Sequence, residues 1–488
     1  MTLRNHLSQR INIDVMKSTP KNDALPSQTE DNENFSGISL PTRLPNLSGP
    51  TLNWAAKRHP KSWVSHPSEL VLSASQCHGA NEQRLICGDN LPVLVHLAST
   101  QPSTADLIYI DPPFDSKANY KKHLELKGPA RRKLMLPQTQ YKDKWTGDSY
   151  LQFMYERMII LRTLLSETGS IFIHCDRHRA HHLRCIAEEV FGTTQFRGSI
   201  AWCYGGGGAP TRHYPAKHDT LLWFSKSEKW TFHKQFRPYS EATLKRGLTQ
   251  VKGPTYQLNE HGAMLNDWWA DASVQKILSP TAFENLKYPT QKPESLLERI
   301  ILGHSNPNDL ILDCFAGSGT TLAVAKRHAR RFIGIDNNPG SIATITRRLL
   351  NATRIDTQDG EAKQSAFQVF YTANQLSLLE TNDRGHHARI TATANSINID
   401  ALPFDVLGTN LEPSFDEPLN YGELLESVMI DPDYDGQTFT PKIIDIPKRG
   451  ETVDGSYTMP NDWQQACIWM TDIFSNVHRV TVVNDSSK

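Results

Sequence analysis

The sequence predicts an α/β fold built on a mostly parallel sheet, and three observations carry this prediction. Residues 105–110 form an almost continuous apolar run, as expected for a parallel strand that is covered on both faces. Residues 309–336 have the pattern of a strand, a glycine turn, a helix and a second strand. Residues 150–174 hold an amphipathic helix followed by another strand. Strands that alternate with helices predict a parallel sheet with helices on both faces.

An acid, two prolines and an aromatic ring follow the strand at 105–110. Pro112 and Pro113 end the strand, because proline cannot donate a ladder hydrogen bond. Ligands of open α/β sheets bind outside the carboxyl ends of the strands, so we expect Asp111 and Phe114 to lie in the binding crevice. A carboxylate and a flat apolar ring suit a planar ligand that carries an exocyclic amine. A simple strand-ending turn is the alternative, since Asp-Pro is common in turns.

The segment from residue 313 to residue 336 predicts a second ligand site. Gly317 and Gly319 allow a ligand to approach the backbone, and the helix that begins at Thr320 presents its N-terminal N–H groups. Asp336 ends the next strand, where its carboxylate can accept hydrogen bonds from ribose hydroxyls. The third glycine of the dinucleotide fingerprint is missing. The segment therefore favours an adenosine ligand other than NAD.

Two motifs together resemble those of the amino-group DNA methyltransferases, which use S-adenosylmethionine. They are Asp-Pro-Pro-Phe at 111–114 and Asp-Cys-Phe-Ala-Gly-Ser-Gly-Thr at 313–320. The catalytic motif precedes the glycine loop, which is the permuted order of the β group. That group includes many type II enzymes and the modification subunits of type III restriction systems. The resemblance spans roughly residues 84–350.

The resemblance implies a fold and a set of site residues. The fold is a seven-stranded, mostly parallel, Rossmann-like methyltransferase sheet with a recognition insertion and a small, mostly β C-terminal domain. The implied catalytic residues are Asp111, Pro112, Pro113 and Phe114. The implied cofactor residues are Asp313, Phe315, Gly317, Gly319, Thr320 and Asp336.

Three further residues are candidates for the cofactor site. Asp89 follows a short strand, and the resemblance implies that an acid at this position lies against the adenine end of the cofactor. Capping of the next helix explains Asp89 equally well. Residues 288–294 match a family signature that helps to close the methionine end of the pocket, which implies roles for Thr290 and Lys292. Ordinary helix-start chemistry also accounts for part of this segment.

The charge pattern bears on a nucleic-acid partner. Fifty-two basic residues balance 52 acidic ones, and a net charge of zero argues against phosphate binding. The charges are nevertheless segregated, because residues 115–145 carry nine lysines and arginines and the chain beyond residue 398 is acidic. We predict that residues 115–145 form a long loop that meets DNA phosphates at the rim of the crevice, with a solvated loop as the alternative.

Composition divides the chain into five parts. Residues 1–55 are polar and lack periodicity, so we expect disorder there. Residues 56–225 are expected to form the catalytic half of the methyltransferase domain, residues 226–288 the target-recognition insertion and residues 289–354 the cofactor half. Residues 355–488 are expected to form an acidic, β-rich domain.

The sequence also bears on compartment, metal and partners. There is no signal peptide and no apolar run of membrane-spanning length, and the seven cysteines form no C-x-x-C pair, so we expect a cytoplasmic protein with no membrane partner. The histidines and cysteines between 174 and 185 fit no tetrahedral zinc pattern, so we expect no metal site. The expected partner is double-stranded DNA. A restriction endonuclease subunit and a second copy of the chain, as a homodimer, are possible further partners.

The activity implied by the resemblance is methyl transfer from S-adenosylmethionine to the N6 amine of an adenine flipped out of DNA. Transfer to N4 of cytosine is the nearest alternative, although within the family an aspartate at the first motif position favours adenine and a serine favours cytosine. Methylation of RNA or of a protein amide is more distant, because asparagine is usual at that position. A non-catalytic DNA-binding subunit is the alternative from another class.

Overall fold

The computed structural model describes residues 51–58 in part, residues 76–77 and, with gaps, residues 83–484. The longest gaps are 247–257, 275–283, 356–366, 376–388 and 402–420. The described helices are α1 Asn90–Thr100, α2 Gly147–Leu164, α3 Ala180–Phe191, α4 Glu241–Arg246, α5 Glu294–His304, α6 Thr320–Arg327, α7 Pro339–Ile355 and α8 Tyr421–Leu424. None of the helices in these ranges is long and apolar enough to cross a membrane.

The described part of the chain forms 21 strands. In chain order they are β1 Gln76–Cys77, β2 Arg84–Cys87, β3 Ala105–Ile110, β4 Asn119–Glu125, β5 Lys133–Lys142, β6 Leu165–Cys175, β7 Phe196–Cys203, β8 His218–Ser225, β9 Phe236–Arg237, β10 Ala263–Met264, β11 Trp268–Trp269, β12 Leu310–Asp313, β13 Arg331–Asp336, β14 Gln368–Tyr371, β15 Arg389–Ala392, β16 Ser396–Ala401, β17 Leu425–Asp431, β18 Ile443–Asp445, β19 Ser456–Thr458, β20 Gln465–Asp472 and β21 Val477–Val483.

A large sheet organises the chain, with strand order β1-β14-β2-β13-β12-β3-β6-β8-β7-β11. All neighbours from β14 to β6 are parallel, and β8 runs antiparallel to both β6 and β7. The predicted α/β class with a mostly parallel sheet is confirmed. The predicted count of seven strands is too low, because the described part of the sheet has ten. The sheet is extended at its edges by three strands, β1, β14 and β11. These strands are short, and the sequence shows no clear hydrophobic periodicity for them.

Helices cover both faces of this sheet. On β3, Ile108 and Ile110 belong to one buried cluster and Leu107 and Tyr109 to another, as the alternation of side chains along a strand requires. Helices α1, α2 and α3 pack in the first cluster, and α5, α6 and α7 pack in the second. Burial on both faces explains why the strand reads as an uninterrupted apolar run.

The strand order brings the two sequence motifs together. β12 pairs in parallel with β3, with Ile311 opposite Leu107 and Leu312 opposite Ile108. β13 pairs in parallel with the other side of β12. Since parallel strands share one carboxyl edge, the residues that follow β3, β12 and β13 meet at the same edge of the sheet.

The prediction of an unstructured loop at 115–145 is wrong. Most of this segment is an antiparallel hairpin of β4 and β5, with Lys121 opposite Thr139. The two strands pair with each other through backbone hydrogen bonds. Pro137 argued against a second strand in the sequence. Proline is tolerated in an edge strand, and the register shifts next to its partner His123.

Two smaller sheets make up the C-terminal part, with orders β15-β16-β19 and β18-β17-β20-β21. Residues such as Ile397, Val428 and Trp463 form a third buried cluster there. The expectation of a small, mostly β region is thereby confirmed. β14 lies beyond residue 355 but pairs with β2 in the large sheet. The five-part division of the chain stays a prediction, and most of residues 1–55 lie outside the described residues.

Candidate active site

One cavity of about 480 Å³ lies at the carboxyl edge of the large sheet. Its volume falls in the range of small-molecule sites. Twelve of the thirteen residues predicted from the sequence line it, and Gly319 is the exception. They are Asp89, Asp111, Pro112, Pro113, Phe114, Thr290, Lys292, Asp313, Phe315, Gly317, Thr320 and Asp336.

Asp111 is one of the residues that line this cavity. Its Oδ2 accepts a hydrogen bond from the ammonium group of Lys292. Its Oδ1 is buried and has no hydrogen-bond partner among the described residues. A buried carboxylate oxygen without a partner is unfavourable, so this atom is suited to accept a donor from a ligand.

An aromatic face stands next to Asp111. The ring of Phe114 lies 5.9 Å from the ring of His174, centroid to centroid, at an interplanar angle of 33°. The Nζ atom of Lys292 lies 5.5 Å from the Phe114 centroid. Pro112 and Pro113 complete this part of the lining. The arrangement offers a hydrogen-bond acceptor and a stacking surface side by side.

Asp313 holds the turn that follows β12. Its Oδ1 accepts from the Phe315 N–H at 3.0 Å and its Oδ2 from the Thr321 hydroxyl at 2.6 Å. Burial raises the pKa of Asp313 to about 7; the charges of Asp111 and Asp336 act in the same direction, and the two hydrogen bonds oppose them. Asp313 therefore shapes the glycine loop as well as lining the cavity.

Asp336 and the glycines fix the loop's path. The Gly317 N–H donates to Asp336 Oδ2 at 2.8 Å, and the Asn338 N–H donates to Oδ1 at 2.9 Å. The Ser341 hydroxyl and the Asn337 N–H also bond to this carboxylate, so ribose hydroxyls would join or replace donors that it already has. Gly319 has φ +74°, and a Cβ at this position would lie 2.8 Å from the side chain of Ile345. Gly319 thus lets α6 pack against α7, which is why it does not line the cavity.

Asp89 acts as a helix cap and also lines the cavity. Its Oδ1 accepts from the Leu91 N–H at 3.0 Å and from the guanidinium of Arg157 at 3.0 Å. Arg157 also donates to Asn90 Oδ1 at 2.6 Å, and the Asn90 amide donates to the Cys314 carbonyl at 2.8 Å. Arg157 and Asn90 were not predicted from the sequence, because partners 67 residues apart leave no local pattern.

Two further contacts that the sequence did not indicate support the cofactor side. The Tyr288 hydroxyl lies 2.8 Å from the Ser341 hydroxyl, across the glycine loop. Arg348 donates to the Ser318 carbonyl at 3.1 Å and to the Glu294 carboxylate at 2.6 Å. Arg348 thereby ties the start of α5 to the glycine loop, and the Tyr288–Ser341 contact joins the segment before α5 to the start of α7.

A chain of polar groups lies behind Asp111. The Tyr109 hydroxyl is 2.8 Å from His174 Nδ1, and His174 Nε2 is 3.3 Å from Asp219 Oδ2. The Tyr204 hydroxyl donates to Asp219 Oδ1 at 3.0 Å. Burial and the neighbouring carboxylates raise the pKa of Tyr109, so its phenol stays protonated. No cluster of three or more metal-ligating side chains occurs in the described part of the chain.

The lining fits an adenosine cofactor that carries an amino acid. It combines the backbone at Gly317, the carboxylates of Asp336 and Asp89, and aromatic rings at Phe315 and Trp145. Carboxylates can accept from ribose and amine donors, and rings can pack on a purine.

Comparisons with known proteins agree with this chemistry. The sequence model of the DNA methylase family matches residues 105–347. DNA adenine methyltransferase YhdJ of Escherichia coli (strain K12) is 28% identical over 284 residues, which cover 58% of this chain and 87% of that protein. Type II methyltransferase M.HpaI of Haemophilus parainfluenzae is 31% identical over 270 residues, 55% of this chain and 74% of that protein. The crystal structure of the M1.HpyAVI–SAM complex has 22% sequence identity and a TM-score of 0.35, with 55% of this chain and 98% of that chain covered. The chain belongs to the DNA methylase family of N6 and N4 amino methyltransferases.

Proposed function

We propose that this protein transfers a methyl group from S-adenosylmethionine to the N6 amine of adenine in double-stranded DNA. The observation that carries the proposal is the buried Oδ1 atom of Asp111, which has no partner among the described residues and belongs to a side chain that lines a cavity beside Phe114. An acceptor beside a stacking surface is the arrangement that an aromatic amine requires. Bound S-adenosylmethionine supplies an electrophilic methyl group there.

The chain's own residues activate the amine. An aromatic amine is a poor nucleophile, because its lone pair is delocalised into the ring. Asp111 Oδ1 accepts one N–H and the Pro112 carbonyl accepts the other, which pulls the nitrogen from sp² towards sp³ geometry and localises its lone pair for attack on the methyl group. The Asp111 carboxylate also stabilises the positive charge that develops on nitrogen as the methyl group leaves sulfur. The methylated amine becomes neutral again when it loses one of its protons to solvent.

The target base has to leave the duplex to reach Asp111. The side chain of Asp111 is only 18% exposed, which is too enclosed for a base that stays paired. Stacking on Phe114 offsets part of the unstacking energy, by about 1–3 kcal/mol per base. The hairpin of β4 and β5 is the proposed phosphate contact. A restriction endonuclease subunit and a homodimer stay predictions from the family resemblance.

Adenine is proposed over cytosine because the motif begins with aspartate at position 111. The experiment that tests the proposal is mass spectrometry of nucleosides from DNA of cells with and without the protein. N6-methyladenine that appears only with the wild-type protein, and not with Asp111→Ala, is the expected result. N4-methylcytosine would overturn adenine as the target, and no modified base at all would overturn the proposed function.

A further inference from the structure

Lys292 is buried beside the catalytic motif. The residue is only 7% exposed, and its ammonium group donates to Asp111 Oδ2 and to the Thr290 carbonyl, the latter at 3.3 Å. The backbone that carries it is firmly held. Thr290 has φ +63°, an unfavourable conformation for a β-branched residue, and the Gln291 side chain bonds to the backbone at Leu286 and Glu284.

The positive charge of Lys292 is neutralised by a carboxylate of the methyl-acceptor site. A buried ammonium requires an anionic partner, and Asp111 is in direct contact with it. The charge of Lys292 also reaches Asp219. Although burial acts to raise it, bonds from His174 and Tyr204 and the charge of Lys292 hold the pKa of Asp219 below its ordinary value. S-adenosylmethionine is itself a sulfonium cation, so a lysine that contacted its reactive end would repel it.

The contact determines what Asp111 can offer to a base. The two oxygens of a carboxylate are fixed in one plane, so a bond that anchors Oδ2 also fixes the direction of Oδ1. Oδ1 is the oxygen left buried and unpaired in the described structure. The lysine therefore divides the carboxylate into one anchored oxygen and one oxygen for the incoming amine.

We propose that Lys292 is a positioning residue of the methyl-acceptor site, which aims Asp111 Oδ1 at the target amine, and that it is not a cofactor ligand. This inference rests on the proposed function. It departs from the role that the sequence motif implied, which was closure of the methionine end of the cofactor pocket.

The test compares Lys292→Met with the wild-type protein. The substitution keeps a flexible unbranched side chain, one atom shorter, but removes its charge and its donor. The single-turnover methylation rate should fall on the order of 100-fold, because a misplacement of about 1 Å in a catalytic group has an effect of that size. The dissociation constant of S-adenosylmethionine, measured by calorimetry, should be unchanged. Lys292→Gln, which keeps a donor without the charge, should be intermediate and provides a second variant should the first fail to fold.

The matched control is Lys226→Met. Lys226 is a half-buried lysine that donates to the Arg162 carbonyl and does not line the cavity. Its substitution should leave both the rate and the cofactor affinity unchanged.

Chemical rescue separates positioning from a general structural role. Ethylammonium added to Lys292→Ala should restore the rate in a saturable manner. Absence of rescue, an unaltered rate in Lys292→Met, or a parallel loss of cofactor affinity would each overturn the inference about Lys292. None of these three results affects the proposed function, provided that the wild-type protein methylates DNA. If the wild-type protein methylates no DNA, the proposed function itself is refuted.

Discussion

The affinity for S-adenosylmethionine should weaken below pH 6 because of Asp336. Burial raises the pKa of this carboxyl to about 6, despite the bonds that it accepts from Asn338 and Gly317. Ribose hydroxyls donate to a carboxylate, so the ionised form is the one that binds. At pH 5 about one Asp336 in eleven is ionised, so the apparent dissociation constant should be about tenfold larger than at pH 8.

Calorimetric titration of the protein with S-adenosylmethionine between pH 5 and pH 8 measures this effect. The matched variant is Asp336→Asn, which keeps the shape of the side chain but cannot titrate. This variant should bind S-adenosylmethionine weakly at every pH. Any pH dependence that its affinity retains comes from titration of the cofactor or of other groups such as Asp313. A wild-type affinity that is equal at pH 5 and pH 8, or a variant with the same slope as the wild type, would refute the role of Asp336.

Three other substitutions test the rest of the site. Asp111→Ala should abolish turnover while calorimetry shows unaltered cofactor binding, because the side chain faces the target amine; wild-type turnover would contradict the mechanism. Phe114→Ala should weaken binding of an oligonucleotide with a mispaired target by about 1–3 kcal/mol in an equilibrium titration, through loss of stacking; unchanged affinity would remove the stacking role. Neutralising Lys121 and Lys122 together should reduce the salt dependence of DNA binding by about one to two units of slope, and an unchanged slope would return the hairpin to solvated surface.

The residues that follow strand ends could be predicted from the sequence. Asp111, Asp313 and Asp336 each stand at the end of an apolar run, and the rule that parallel strands share a carboxyl edge is enough to bring them together. The strand order places β12 beside β3 and β13 beside β12, although more than 190 residues separate β3 from β12 in the chain. Hydrophobic periodicity thus predicted the strands of the main sheet, and the family resemblance implied further cavity residues such as Asp89, Thr290 and Lys292.

The side-chain pairs within the site could not be predicted. Lys292 lies 181 residues from Asp111, and Arg157 lies 67 residues from Asn90, so neither contact leaves a local pattern. The same holds for β14, a four-residue strand that pairs with β2. Tertiary packing decides which residue donates a hydrogen bond to Asp111 Oδ2, and the local sequence does not indicate that packing.

Residues Tyr288 and Lys292, the two ends of one short segment, contact opposite sides of the site, the cofactor loop and the methyl-acceptor carboxylate. At one end the Tyr288 hydroxyl contacts Ser341 beside the cofactor loop, and at the other Lys292 contacts Asp111. The Lys292 carbonyl also accepts from the Thr320 hydroxyl at 3.2 Å, which joins the segment to the first residue of α6. The segment therefore contacts both the cofactor loop and the acceptor carboxylate. The permuted order of the two sequence motifs does not separate them in the fold, because this segment and the shared carboxyl edge of the parallel strands bring them together.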